Sequence, residues 1–210
     1  MSNPFHSVTE FAFLNLIPPT TLQNRKLIEG FLNAAEAQSS WSGYPLHFFF
    51  SSNNPRPHEE ASPSGDRNTG EVPVSTMIYI VSGWASAQAH NEWIASPKNQ
   101  EILKFFGDAG MMSVGGVVHL DINFAGLSFE ECDAVVWRKI GSGGGGVSQA
   151  VQEVGSGDDG SAQDARLLWS HRGRAVDDGV EDEYELCAYS EGGLRDSGEG
   201  YTVMCKWKLE

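Results

Sequence analysis

The sequence is poor in basic residues. Its 210 residues include 14 lysines and arginines against 28 acidic residues, so the formal net charge is −14 at pH 7. A chain this acidic repels the phosphate backbone of nucleic acids and the surface of anionic membranes. We therefore expect neither a nucleic acid nor a membrane among its partners.

Cysteines and long apolar runs are also scarce. The three cysteines, Cys132, Cys187 and Cys205, include no C-x-x-C pair, which predicts neither a disulfide framework nor a thiolate metal site. Apolar runs such as residues 77–81 are far shorter than the ~20 residues that cross a bilayer. The first residues lack the basic and then apolar pattern of a secretory signal. These absences predict a cytoplasmic protein in a reducing compartment, without a bound metal.

Two stretches interrupt the globular pattern. Residues 51–72 are rich in Asn, Pro, Ser and Gly, which is typical of a long surface loop. Residues 141–160 contain 8 glycines, and this composition predicts a flexible linker. We therefore expect a first unit over residues 1–125 and an acidic, strand-rich second unit over residues 126–210.

The first unit alternates between strand and helix patterns. The predicted elements are a strand at 8–17, a helix capped by Thr20 or Thr21 and ending near Ala37, strands at 46–50 and 74–82, a helix capped by Ser86 and restarted at Ser96-Pro97, and a strand at 114–122. This order is that of an α+β, ferredoxin-like split βαβ unit. Because its helices cover one face of the sheet, the other face requires a partner.

The second unit is mainly a strand pattern. Strands are predicted at 134–137, 183–189 and 201–209, with the last two forming a hairpin, and a short helix is predicted at 161–169. Two interpretations remain open. The unit is either a degenerate second copy of the first, or a strand extension without repeat ancestry.

One local motif suggests a family. The strand ending in Gly83-Trp84 runs into a helix that contains His90 and then Trp93. This arrangement resembles antibiotic-biosynthesis-monooxygenase-like (ABM-like) proteins of the dimeric α+β barrel superfamily, over residues 8–122. The resemblance implies a barrel of two units packed sheet to sheet, either as a homodimer or as a pseudo-dimer within one chain.

The same resemblance implies chemistry. The superfamily includes cofactor-independent monooxygenases that act on aromatic polyketides, so the expected function is oxygenation or cyclisation of a phenol or enol in secondary metabolism, without a cofactor. The expected partner is a small aromatic, polyketide-like molecule. A non-catalytic binding or assembly protein with the same barrel is the alternative. A haem-binding or haem-degrading role is less consistent, because His90 lies too early in its helix.

Seven residues are candidates for the site. His90 is the expected general base, since imidazole titrates near neutral pH, and Asn15 would polarise a substrate carbonyl. Trp84 and Trp93 would form an aromatic wall for a planar substrate. Further substrate contacts are expected from residues on the strands, namely Phe13, Tyr79 and His119, the last two on strands that we expect to be neighbours.

Overall fold

The computed structural model describes residues 7–53, 75–140, 166–177, 179, 182–190 and 202–209. Within these residues the elements are, in chain order, β1 (Val8–Leu16), α1 (Arg25–Ser42), β2 (Leu46–Asn53), β3 (Ser75–Trp84), α2 (Ala87–Ile94), α3 (Pro97–Asp108), β4 (Met112–Leu120), a 3-10 helix (Phe124–Gly126), β5 (Ala134–Ile140), β6 (Arg166–Arg174), β7 (Glu183–Ser190) and β8 (Thr202–Lys206). The predicted linker at 141–160 lies outside the described residues. Most of the loop predicted at 51–72 also lies outside them. Its first three residues, 51–53, belong to β2.

All eight strands form one antiparallel sheet, in the order β4-β1-β3-β2-β8-β5-β7-β6. The first four strands follow the fourth-first-third-second order of a ferredoxin-like unit. Counted from β5, the last four strands follow the same order. The α+β class predicted from the sequence is confirmed.

The two groups of four strands meet where β2 pairs with β8, at Phe49↔Lys206 and Phe50↔Cys205. The outer strands, β4 and β6, also approach each other at one end. There Leu120 bridges Ala175, and the amide of Asp121 donates to the carbonyl of Arg174 at 2.8 Å. The sheet therefore bends round until its two edges touch at that end.

The two faces of β1 explain where the apolar cores lie. Phe11 and Phe13 point towards the second half, whereas Leu14 and Leu16 point towards the helices, as period-two alternation requires. The face that was expected to need a partner is covered by the second half of the same chain. The core between the halves takes buried side chains from both groups of strands, including Phe11, Phe49, Tyr79, Val81, Val118, Val135, Leu186, Ala188 and Met204.

Aromatic rings fill part of this inner core. Phe11 stacks on Trp137 with ring centroids 5.5 Å apart and planes 6° from parallel, and Trp137 stacks on Tyr184 at 5.1 Å and 7°. Phe13 contacts the same tryptophan at 5.7 Å. Offset stacking of this kind adds to the free energy of apolar burial. The rings therefore hold the two halves together.

Local signals at the helix starts were mostly reliable. The side chains of Ser86 and Ser96 accept from the amides of Ala89 and Asn99 and cap α2 and α3, as predicted. The predicted start and end of α1 were wrong. Asn24, not a threonine, accepts from the amide of Leu27, and the helix continues to Ser42. It ends at Gly43, whose φ of 78° is the left-handed conformation that terminates helices.

Two predictions for the second half were also wrong. Of the helix predicted at 161–169, residues 161–165 lie outside the described residues, and residues 166–169 belong to β6, because their backbone pairs with β7. The last two strands do not form a hairpin, because β5 lies between them and pairs with both. Among the described residues, no helix is both long and apolar enough to span a membrane.

Gly83 of β3 occupies a position without room for a side chain. A Cβ atom there would lie 2.7 Å from both Phe124 Cγ and Tyr44 Cγ. We expect Gly83→Ala to lower the free energy of unfolding by about 1–3 kcal/mol through overpacking. Urea denaturation measures the effect.

The matched control for this substitution is Gly107→Ala. Gly107 lies in α3 with nothing within 4 Å of a Cβ at its position. It should gain up to about 1 kcal/mol from helix propensity. Equal effects of the two substitutions would contradict the close contact at Gly83.

Candidate functional site

Four titratable side chains form a chain between the helices, the sheet and the second half. They are Glu10 of β1, His90 of α2, His119 of β4 and Asp177, which follows β6. We refer to these four residues as the Glu–His–His–Asp chain. Glu10 and both histidines are buried, whereas 30% of the Asp177 side chain is exposed. The Glu–His–His–Asp chain therefore extends from the protein interior to the surface.

The distances along the chain differ. Glu10 Oε1 lies 3.4 Å from His90 Nε2, His90 Nδ1 lies 2.7 Å from His119 Nε2, and His119 Nδ1 lies 2.6 Å from Asp177 Oδ1. The last two are hydrogen-bond distances, and the first exceeds the usual range. A second bond fixes Asp177, because the backbone N–H of His119 donates to its Oδ2 at 2.7 Å. Both ring nitrogens of each histidine therefore face a polar atom of the protein.

Strand register explains how the inner end is assembled. Glu10 lies opposite Ser82 on one side and opposite His119 on the other. All three side chains project from the helix-facing side of the sheet, where α2 places His90 in its first turn. The meeting of β4 and β6 at the sheet's edges then brings Asp177 to His119.

Glu10 is held by a network of donors. The hydroxyl of Ser82 donates to Glu10 Oε2 at 2.7 Å, and the indole N–H of Trp84 donates to the same oxygen. Gln38 of α1 donates in turn to the Ser82 hydroxyl at 2.9 Å. Glu10 was missed from the sequence, although a single carboxylate within an otherwise apolar strand is an unusual feature that signals it.

Burial shifts the titration of both inner groups towards their neutral forms. Loss of hydration raises the pKa of Glu10, against the opposing effect of its hydrogen-bond donors and of His119. Burial, with a smaller contribution from His119, lowers the pKa of His90 to about 3. Perturbed titratable groups of this kind are enriched at functional sites.

The same geometry does not favour a metal ion. A pair of nitrogens bound to one tetrahedral zinc ion stands ~3.3 Å apart, given metal–nitrogen bonds of ~2.0 Å. The nitrogens of His90 and His119 are closer, at 2.7 Å. In the part of the chain that the structure describes, no group of three or more His, Cys, Asp and Glu is placed to hold a metal.

The structure brings some of the predicted site residues together. The ring centroids of Trp84 and His90 lie 4.6 Å apart, and those of His90 and His119 lie 4.9 Å apart. Trp93 packs against Trp84 and Val8, and both tryptophans are buried. The two indoles thus support the Glu–His–His–Asp chain through protein contacts.

The remaining predicted residues lie on the other face of the sheet. The ring centroids of Phe13 and Tyr79 lie 6.4 Å apart, and both side chains face the second half. Asn15 lies two residues after Phe13 in β1 and therefore shares its face, and its side-chain nitrogen lies 3.1 Å from the position of a Cβ atom at Gly115. Asn15 and His90 therefore lie on opposite faces of the sheet, and the structure does not bring them together.

The expected adjacency of the strands that carry Tyr79 and His119 was wrong. β1 lies between β3 and β4 and pairs with both. The two side chains also point to opposite faces, since Tyr79 belongs to the core between the halves and His119 contacts His90. Burial raises the pKa of the Tyr79 phenol, whose oxygen accepts a hydrogen bond from Ser51 at 3.3 Å.

No protein-family model matches the sequence, and no curated protein matches it. One solved structure at a TM-score of 0.50 shares its fold. A provisionally named monooxygenase from Fusobacterium nucleatum subsp. nucleatum superposes with a TM-score of 0.50 at 7% identity, covering 98% of this chain and 93% of that chain. At this identity the likeness supports the α+β fold alone.

Two further solved structures are less similar. A provisionally named monooxygenase from Lactobacillus acidophilus has a TM-score of 0.43 at 9% identity, covering 98% of this chain and 95% of that chain. A dye-decolorizing protein from V. cholerae has a TM-score of 0.38 at 10% identity, covering 88% of this chain and 80% of that chain.

Proposed function

We propose that the protein is a small-molecule enzyme of the monooxygenase type, in which the His90–His119 pair supplies the acid–base group. The observation that carries this proposal is the 2.7 Å contact between two buried imidazoles that lie between two carboxylates. Such an assembly can accept a proton at one end and release one at the other. The fold shared with a provisionally named monooxygenase is consistent with this class.

The proposed substrate is a small phenol or enol with an acidic methylene group, as the resemblance to ABM-like proteins suggests. Loss of a proton from the methylene gives a carbanion that dioxygen can oxidise. The methylene becomes a carbonyl, and the second oxygen atom leaves as water with the two hydrogens of the methylene. The substrate is itself the reductant, so the reaction balances without a further electron donor.

The exposed end of the Glu–His–His–Asp chain is the proposed point of contact with the substrate. Asp177 is the one member that reaches solvent, and His119 lies directly behind it. His90 then acts behind His119, while Trp84 orients the His90 ring. In this arrangement Asn15, Phe13 and Tyr79 contribute to the packing between the halves.

A non-catalytic binding or assembly protein is the second candidate. It is favoured by the low pKa of His90 and by the engagement of both its ring nitrogens, which suit a structural role. In either case, the covering of the inner face by β5, β7 and β8 supports an internal pseudo-dimer within one chain.

Oxygen uptake tests the catalytic proposal. The probes are anthrone, 1,3-dihydroxynaphthalene and 1,3-diphenyl-1,3-propanedione, each followed with an oxygen electrode against its spontaneous oxidation. We expect protein-dependent uptake with at least one probe, and a loss of about 10²-fold or more in His119→Gln, the range typical of a missing acid–base group.

The matched control is His171→Gln, which changes an exposed histidine of β6. It should leave the rate unchanged. The absence of protein-dependent uptake with all three probes, or equal rates in the two variants, would exclude the proposed role and favour the non-catalytic candidate.

A further inference from the structure

We infer that the Glu–His–His–Asp chain is a proton path that connects a buried carboxylic acid, Glu10, with the protein surface at Asp177. This inference goes beyond the proposed function, because it concerns the resting protein and needs no substrate. It rests on the continuity of the contacts from Glu10 Oε1 to Asp177 Oδ1, and on the exposure of one end alone.

The outer end determines where the first proton lies. Asp177 is partly exposed to solvent, which suits an ionised carboxylate, and such a group only accepts hydrogen bonds: Oδ2 accepts from the backbone N–H of His119, and Oδ1 lies 2.6 Å from His119 Nδ1. The proton of this contact therefore belongs to Nδ1. In a neutral His119, Nε2 then has a lone pair, and it accepts from His90 Nδ1–H at 2.7 Å.

The inner end completes the same pattern. With its proton on Nδ1, His90 presents the lone pair of Nε2 to Glu10 Oε1. Glu10 Oε2 is occupied as an acceptor by Ser82 and Trp84, so Oε1 is the oxygen that holds the acid proton. Each contact then joins one donor to one acceptor, with both histidines in the Nδ1–H tautomer.

A second arrangement contains the same number of protons. One proton moves from Glu10 Oε1 to His90 Nε2, while another moves from His90 Nδ1 to His119 Nε2. Glu10 becomes a carboxylate that keeps its two donors, and His119 becomes an imidazolium beside the carboxylate of Asp177. Glu10 can therefore lose its proton although it is buried and does not meet solvent.

The step between Glu10 and His90 controls the path. Its 3.4 Å separation exceeds a normal hydrogen-bond length by a few tenths of an ångström, so transfer requires the two groups to approach. The other two steps, at 2.7 and 2.6 Å, are already within hydrogen-bond range. A purely structural network would hold the same atoms together, but it would not carry the proton of Glu10 to solvent.

Two measurements on the full chain test this inference. Nitrogen-15 NMR of the histidine rings reports each tautomer, and infrared spectroscopy after rapid mixing with D₂O reports how fast the Glu10 carboxylic acid exchanges its proton. We expect Nδ1–H tautomers for His90 and His119. We also expect a carboxylic acid band that is lost in Glu10→Gln, whose amide still donates to His90.

Asp177→Asn should slow the exchange of that band at least tenfold, because it removes the charged outer acceptor. Asp108→Asn, at an exposed aspartate of α3, is the matched control and should leave the exchange rate unchanged. An unprotonated Nδ1 on His119, or equal exchange in the two variants, would overturn the inference. So would a carboxylic acid spectrum that Glu10→Gln leaves unchanged. None of these outcomes depends on oxygen uptake, so the proposed function is tested separately.

Discussion

Glu10→Ala is expected to lower the free energy of unfolding by about 3–5 kcal/mol, because it leaves several buried polar groups without a partner. The hydroxyl of Ser82 and the indole N–H of Trp84 both donate to Glu10, and His90 faces its other oxygen. Glu10→Gln retains an acceptor and a donor of similar shape. Its cost near pH 5 should therefore be much smaller, and urea denaturation measures both variants.

The pH dependence of the free energy of unfolding, to which Glu10 and His90 both contribute, provides a second test. Because burial raises the pKa of Glu10 above 4.5, its contribution to stability is complete below about pH 4.5 and is lost as pH rises through the folded-state pKa. His90 behaves oppositely, since its contribution is present above pH 6.5 and is lost as pH falls through about 3. The difference in stability between the wild type and Glu10→Gln above pH 4.5 therefore reports the ionisation of Glu10.

As pH rises above 4.5, the wild type should lose stability relative to Glu10→Gln, until Glu10 is fully ionised in the folded protein. A constant difference between the two across this range would mean that Glu10 is already ionised in the folded protein. An alanine variant as stable as the glutamine variant would contradict the described network.

Phe11→Ala should also cost about 3–5 kcal/mol, the range found for large aromatic side chains in cores. Phe11 is completely buried and stacks on Trp137 of the other half, so its removal opens a cavity at the junction. Phe105→Ala is the control, because Phe105 is 45% exposed on α3, and it should cost about 1 kcal/mol or less.

A double-mutant cycle with Trp137→Leu separates stacking from burial. The coupling free energy between Phe11 and Trp137 should be about 0.5–1.5 kcal/mol. Additive effects, or a Phe11→Ala cost equal to that of Phe105→Ala, would show that the rings do not hold the halves together in solution.

The first half could largely be predicted from sequence because its signals are local. Ser86 and Ser96-Pro97 mark the helix starts, and alternation along 8–17 defines both faces of β1. The α1 start was misplaced because Thr20 and Thr21 match the capping pattern, whereas the side chain that accepts from a helix amide, that of Leu27, is that of Asn24.

The second half could not be ordered in this way, because its pairing is not local. The strands of residues 183–189 and 201–209 follow each other in the chain, which suggested a hairpin, yet β5 separates them. The helix predicted up to Trp169 rested on a local capping pattern, but residues 166–169 pair with β7 as part of β6.

Only part of the site could be predicted from the sequence, because some of its contacts are not local. His90, Trp84 and His119 were identified as candidates, and the structure places them together. Asp177 could not be found, because its contact with His119 spans 58 residues and depends on the meeting of the sheet's two edges. Asn15 was grouped with His90, although the alternation of β1 places it with Phe13 on the face away from the helices.

The pairing of β2 with β8 has a consequence for how the protein folds. Phe50 and Cys205 are neighbours in the sheet but stand about 155 residues apart in the chain, and such distant pairings are slow to form because a long loop must close first. Until β5, β7 and β8 pack against them, the apolar side chains on the inner face of the first four strands are exposed to water. We therefore expect the inner core to form late in folding. A chain that has not yet formed it exposes apolar surface that favours aggregation.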